Sequence, residues 1–250
     1  MSIGLYQSAS SLAALERWQD AVTQNITSSQ VAGYKKRTVE FSVVEAGELQ
    51  TDPKQKIGRG EGEATYFPRA TYGINFKLGE TSPTRREFDV ALQSEGFFEV
   101  QMEDGRKAYT RGGELRLRAD RTLVTTQDQP ILTEAGSPIQ LLPRGGEVII
   151  NRDGTVVQGG TPLGRLTVVK FADNNQLMPI SAGMFLPLPG TPDPVAVEEP
   201  EVLQGYLESS NVTPLREMVD LVNIARAYEA NQKLIQSHDN TMQKTLEALG

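Results

Sequence analysis

His238 is the single histidine of the 250-residue chain, and it stands next to Asp239, so histidine-based acid–base or triad chemistry would have to be built there. Adjacent residues of a helix point about 100° apart and cannot serve as a base and its orienter. His238 therefore reads as a solvated or interface side chain. The chain has no Cys, which removes disulfides, thiolate zinc sites and Cys nucleophiles, and one His cannot build a multi-His metal centre. Asn151, Asp153 and Gly154 imitate part of a calcium loop, but the first and twelfth ligand positions would fall on Ile149 and Gly160, which cannot coordinate. A hairpin turn is the better reading. Gly58, Gly60 and Gly62 alternate in the manner of a phosphate loop without a strand before them or a helix after them. Glu198 and Glu199 lie in Pro-rich sequence and read as a solvated charge run. No catalytic, cofactor-binding or metal-ligating set is expected, and the chain reads as a non-enzyme. Lys plus Arg number 25 and Asp plus Glu 32, a net charge of −7 without long runs of one sign. That balance argues against a nucleic-acid partner or insertion into a membrane.

The elements that would carry an interaction role stand at the two ends. Residues 5–30 lack Gly and Pro, and Leu5, Leu12, Leu15, Val22 and Ile26 recur at alternating spacings, with Ser8 and Gln19 in the remaining slots. This spacing predicts a helix with a narrow apolar seam. Gly33 suits a left-handed helix end, and an extended exit follows. Near the other end, Ser209, Ser210 and Asn211 offer caps, Pro214 fits a first turn and Glu217 a positive helix end. Leu221, Ala225, Tyr228, Gln232, Ile235, Asp239, Met242, Leu246 and Leu249 then recur at spacings of four and three. A helix over this stretch would run about 50 Å and needs a partner. The seams are expected to seal each other and neighbouring copies, with the polar Gln19, Gln232 and Asp239 setting register. The competing reading is an ordinary amphipathic helix packed on the chain's own β region.

Between the ends the sequence is β-like. Residues 97–102 and 107–110 flank Glu103, Asp104 and Gly105, a hairpin signal. Further short strands are expected at 114–118, 122–126, 139–142, 147–150, 155–158 and 166–172, a spacing that suits a sandwich or partly open barrel. The expected fold class is thus α+β: long N- and C-terminal helices forming a coiled coil, with a central all-β domain. The expected divisions are 1–41 (helix and extended exit), 42–87 (Gly-rich adaptable or extended segment), 88–190 (β domain), 191–202 (Pro-rich acidic connector) and 203–250 (C-terminal helix). The first thirty residues lack a basic start followed by an apolar run, so no cleavable signal peptide or membrane span is expected there.

Three ordered motifs resemble the flagellar rod and hook family, the axial proteins of the bacterial basal body. The first is Leu5-Tyr6, Leu12, Asn25-Ile26 and Gly33-Tyr34-Lys35, with Gln24-Asn25 in place of Asn-Asn and Val31-Ala32 in place of the usual Thr-Pro. In the centre stand Phe88-Asp89-Val90-Ala91-Leu92, Glu95-Gly96-Phe97-Phe98-Glu99-Val100 and Ala108-Tyr109-Thr110-Arg111-Gly112-Gly113. The third is Gly205-Tyr206-Leu207-Glu208-Ser209-Ser210-Asn211-Val212 with Arg226-Ala227-Tyr228-Glu229-Ala230-Asn231-Gln232-Lys233. The resemblance implies a non-enzymatic subunit of the rod, the tube that crosses the periplasm and transmits torque, with the proximal type favoured over the distal. It implies copies of itself, other rod and hook proteins and the flagellar export apparatus as partners. It also implies residence in the basal body after export without a cleaved signal. A soluble all-β binding protein with a helical dimerisation arm and a hydrolase with an acidic pocket remain open on the residues alone.

Overall fold

The structure is a computed structural model that describes residues 3–48, 64–181 and 183–249. It separates into two compact units. Unit 1 comprises Met1–Ile26, Arg37–Ile74 and Thr213–Gly250, and unit 2 comprises Thr27–Lys36 and Asn75–Val212.

Unit 1 contains α1 (Ile3–Thr27), α2 (Pro214–Leu249) and an antiparallel hairpin of Arg37–Glu48 with Ala64–Ile74. Both hairpin strands thus fall largely within the stretch 42–87, and the alternating glycines at 58, 60 and 62 lie outside the described residues. Cross-strand partners Val39↔Tyr72, Phe41↔Ala70 and Val43↔Pro68 share one face, while Glu40↔Thr71 and Ser42↔Arg69 share the other. α1 lies on the apolar face. Arg17 Nη1 donates to Ala70 O at 2.7 Å and Ser10 Oγ to Pro68 O at 2.8 Å, and the Trp18 ring meets Phe41 edge-on at 5.6 Å. Ala14, Leu15, Ala21 and Val22 are buried along α1.

The expected coiled coil between the terminal helices is overturned. Two α-helices are present among the described residues, and side-chain hydrogen bonds join them: Asn25 Nδ2 to Glu217 Oε2 at 2.9 Å and Asn231 Nδ2 to Ser11 Oγ at 3.2 Å. The α2 positions expected as a seam do not form a dry one: Leu221, Ala225, Gln232, Asp239 and Met242 are exposed. The side of α2 that turns inward carries Glu217 and Ile224, both buried, with Asp220, Ala227 and Asn231 half-buried. The physical reason lies in what holds each helix: α1 is tied to the hairpin through Ser10, Arg17 and Trp18. α2 meets the rest of the unit through a mixed stripe in which Glu217, Asp220 and Asn231 stand among Ile224, Ala227, Tyr228 and Ile235, and the apolar-spacing rule selects only Tyr228 and Ile235 of these.

Unit 2 is largely β. Its widest sheet runs in the order Leu177–Ser181, Met184–Pro187, Lys107–Thr110, Phe97–Gln101, Val168–Lys170 and Val195–Ala196. A second sheet orders Thr161–Arg165, Thr155–Gln158 and Val148–Ile150, and three strand pairs complete the unit. These pairs are Val202–Gln204 with Val90–Leu92, Tyr206–Glu208 with Thr81–Pro83, and Leu115–Leu117 with Leu123–Thr125. One sandwich or barrel, as expected from strand spacing, is therefore not formed. Short sheets surround one core that includes Phe98, Val100, Leu123, Ile131, Val156 and Leu166. The hairpin at Glu103-Asp104-Gly105 forms, with Gly105 at φ +84°. Residues 139–142 make an isolated bridge, Thr122↔Gln140, instead of a strand. The Pro-rich stretch 191–202 supplies the edge strand Val195–Ala196, paired to Val169 and Lys170.

Candidate functional site

The three sequence motifs meet in a polar cluster of unit 2, and Asn25 of the first motif centres a second cluster in unit 1. In unit 2, Glu208 Oε1 accepts from Lys35 Nζ at 2.5 Å and from Gly79 N at 2.9 Å, and its Oε2 accepts from Arg111 Nε at 2.6 Å. All three side chains are at most 3% exposed. Charges so deeply buried persist only when paired and fully hydrogen-bonded, and this cluster meets both conditions. Lys35 Nζ also donates to Lys77 O at 2.8 Å. The Arg111 fork reaches Leu92 O at 2.7 Å, Gly96 O at 2.6 Å and Ser94 O at 3.1 Å. Burial pushes the Lys35 ammonium below its ordinary range, against the pull of its bond to Glu208.

Backbone geometry delivers these groups to one point. Gly33 sits at φ +70°, and its N–H donates to Glu208 O at 2.7 Å. A Cβ at Gly33 would lie 2.3 Å from the carbonyl carbon of Arg111, so the chain can pass this close only as glycine. Asn211 completes the cluster: its Oδ1 accepts from Lys36 N at 2.7 Å, and its Nδ2 donates to Asn75 O at 2.7 Å and Lys77 O at 2.9 Å.

In unit 1 the corresponding residue is Asn25. Its amide both donates to Arg37 O and accepts from Arg37 N, each at 2.8 Å, so it occupies the strand edge as a neighbouring peptide would. The same Nδ2 reaches the buried Glu217. Asn25 thereby ties the end of α1, the first hairpin strand and the first turn of α2.

Neither cluster offers reactive chemistry. The Glu208 oxygens are occupied, and the lysine and guanidinium are sealed from solvent. A cleft of about 300 Å³ in unit 2, lined by Val31, Ala32, Thr110, Thr125, Gln127 and Met184 among others, has one ionisable lining residue. That residue, Glu114, is paired with Arg86 at 2.8 Å. Among the described residues no group of three or more His, Asp or Glu could hold a metal ion, and no helix is long and apolar enough to cross a membrane.

The seam residues named from sequence are divided by the structure. In α1, Leu15 and Val22 are buried, Leu12 and Ile26 half-buried and Gln19 exposed. In α2, Tyr228 and Ile235 are half-buried and the other described seam positions exposed. The side chains of Leu5, Leu246 and Leu249 lie outside the described residues. An apolar stripe that spacing did not single out lies on the first turns of α2: Leu215, Met218, Val219 and Val222, exposed by 73, 51, 54 and 51%. Spacings of three, one and three place them together on a helix surface. Spacing likewise missed Lys35, Arg111, Glu208 and Asn25 as structural centres. Their available signal was a charged or amide side chain inside a motif of Gly, aromatic and apolar neighbours.

Comparison with known proteins fits this distribution of motifs. The family described as "Flagellar basal body rod FlgEFG protein C-terminal" matches residues 203–248, and the one described as "Flagellar hook protein FlgE/F/G D1 domain" matches residues 91–158. The basal-body rod protein FlgF of Caulobacter vibrioides is 30% identical over 250 residues, covering 100% of this chain and 99% of the relative. The chain belongs to the flagellar basal-body rod protein family. FlgF of Rhizobium meliloti is also 30% identical, over 100% of this chain and 99% of its own. FlgG of Buchnera aphidicola subsp. Acyrthosiphon pisum is 31% identical over 96% and 97%. Membership in this structural family implies a rod component and accords with clusters that clamp backbone and expose no reactive group. Glu208 and Asn211, with the whole of α2 to residue 248, fall within the C-terminal family match, and Arg111 falls within the other.

Proposed function

We propose that this protein is an FlgF-type structural subunit of the proximal rod, joined to copies of itself and to other axial proteins through its terminal helices. End-to-end alignment over 250 residues with the FlgF relatives supports FlgF over FlgG type. The observation that carries the assembly role is the exposed apolar stripe Leu215, Met218, Val219 and Val222 on α2. Full burial of such a side chain is worth roughly 1.5–3 kcal/mol, and these four still have half or more of it to gain, which favours a repeated contact. Leu221, Ala225, Tyr228, Ile235 and Met242 extend the proposed contact along α2, and Leu12, Leu15, Val22 and Ile26 hold α1 to its own unit while it does so. Gln19, Gln232 and Asp239, all exposed, are proposed to fix the register of that contact by admitting one hydrogen-bonded alignment.

A repeated heterologous contact related by a screw operation builds a tube, not a closed dimer. Delivery by the flagellar export apparatus to the periplasmic part of the basal body, without removal of a signal peptide, belongs to the same proposal. Negative-stain microscopy of concentrated protein tests it. Tubes or fibres are expected for the wild type and are lost in Val222→Asp; a monomer that stays featureless under all conditions that assemble rod proteins would refute the assembly role. Immunogold labelling of isolated basal bodies tests the location.

A further inference from the structure

Segment 202–212 closes unit 2. It pairs with Val90–Leu92 and Thr81–Pro83. Its Ser209 N donates to Glu80 O at 2.8 Å, and its Glu208 O accepts from Gly33 N. Stretches far apart in sequence, 27–36, 75–83 and 90–92, therefore meet on the last part of the unit to be synthesised. Two of the groups they gather are cations, Lys35 and Arg111, and Glu208 is the carboxylate that both share. Closing residues 27–36 over Lys77, or the 92–96 turn over Arg111, without Glu208 would bury an unpaired cation, which costs far more than the released bonds return.

We propose that Glu208 is a closing lock: the two cations hold residues 27–36 and the 92–96 turn open until segment 202–212 docks, and all three then close in one step. A chain that emerges from its N-terminus keeps unit 2 open until residue 208 is available. The device explains why two cations share one carboxylate. A separate acid for each would let each stretch close alone.

Two amides report on the gated stretches: neither N–H bonds to segment 202–212, but Asn211 holds Lys36 and Asn75, and Val90–Leu92 pairs with Val202–Gln204, so it is the Met variants that separate gating from simple pairing. Asn75 N donates to Lys36 O at 2.8 Å and Val90 N to Gly113 O at 2.9 Å. Pulse-labelled hydrogen exchange during refolding of the full chain reads both against Ser209. As a core reference serves Leu132 N, which donates to Glu99 O at 2.9 Å. In wild type, Leu132 is expected to gain protection first, and Asn75, Val90 and Ser209 together in a later phase. Lys35→Met should release Asn75 to close ahead of Ser209, and Arg111→Met should release Val90. Glu208→Gln should slow the common phase about tenfold. Protection of Asn75 or Val90 ahead of Ser209 in wild type would overturn the lock, as would failure of both Met variants to separate the phases. Should Glu208→Gln not fold, the wild-type order and the Met variants, each of which keeps one ion pair, still decide.

Discussion

Replacing Gly33 by Ala tests whether the close approach of the 27–36 stretch to Arg111 matters to stability. The added Cβ would stand 2.3 Å from the carbonyl carbon of Arg111 and from Gly112 N, and 2.5 Å from Arg111 O, where ordinary contact begins at 3.4 Å. The obstructing atoms are backbone, so the two stretches must separate by about 1 Å, a typical overpacking response worth roughly 1–3 kcal/mol. The positive φ of +70° adds roughly 1–2 kcal/mol for a residue with a Cβ. Together they give about 3–4 kcal/mol. Gly105→Ala is the control, since Gly105 has φ +84° and nothing within 4 Å of a Cβ, so it carries the conformational cost alone, about 1 kcal/mol. The difference between the two variants, about 2 kcal/mol, corresponds to about 1 M in the urea midpoint of a small domain. Circular dichroism of the β signal is the suitable probe, because the single Trp of the chain, Trp18, lies in unit 1 and reports on that unit. Equal midpoint shifts for Gly33→Ala and Gly105→Ala would show that the approach to Arg111 is not tight, and the account of the Glu208 cluster would fail with it.

The lowered Lys35 pKa makes stability rise with pH. The unfolded chain binds more protons than the folded one between the folded pKa and the ordinary value of 10.5, so the penalty is full below that window and is relieved through it. Tyr109, pushed up to about 12 chiefly by burial and then by Glu99, acts oppositely above pH 10, where the unfolded chain has lost the proton that the fold retains. Urea midpoints should therefore rise toward pH 10 and then fall, and Lys35→Met should remove the rise while Tyr109→Phe weakens the fall. Ile224→Ala, at a buried position of α2, should cost about 2–5 kcal/mol, whereas Leu221→Asp, at an exposed one, should stay within about 0.5 kcal/mol and block assembly. Equal melting losses for the two would mean that the inward face of α2 is misassigned. Gln232→Leu with Asp239→Leu should tighten self-association and broaden the distribution of tube diameters; uniform wild-type tubes would show that these residues set no register.

Sequence reasoning reads well where one local rule dominates and poorly where a side chain's partner is remote. The Glu103-Asp104-Gly105 turn is legible because a hairpin is decided by residues within a few positions of it. The α1 positions Leu15 and Val22 are legible because their burial follows the helical period. The partner of α1 is not legible, since Phe41 and Ala70 belong to two strands whose pairing is made across a long Gly-rich connection and is not marked in either strand alone. α2 shows the limit most clearly. Its apolar residues are spread over more than one face, and a four-three rule chose Leu221 and Ala225 while the fold turned Glu217, Ile224 and Asn231 inward.

Motif residues such as Lys35, Arg111 and Glu208 escape spacing rules for a different reason. A charged side chain is by default a surface side chain, and only the arrival of a counter-charge from 97 and 173 positions away makes these three interior. An isolated buried cation would be rejected by any foldable sequence, so the three residues have meaning only as a set. The same holds for Asn25, whose amide is spent on one residue 12 positions along and another 192 positions along. The physical content of the motifs is then the long-range closure itself: glycine where two backbones touch, and one carboxylate shared by cations that must not be buried without it.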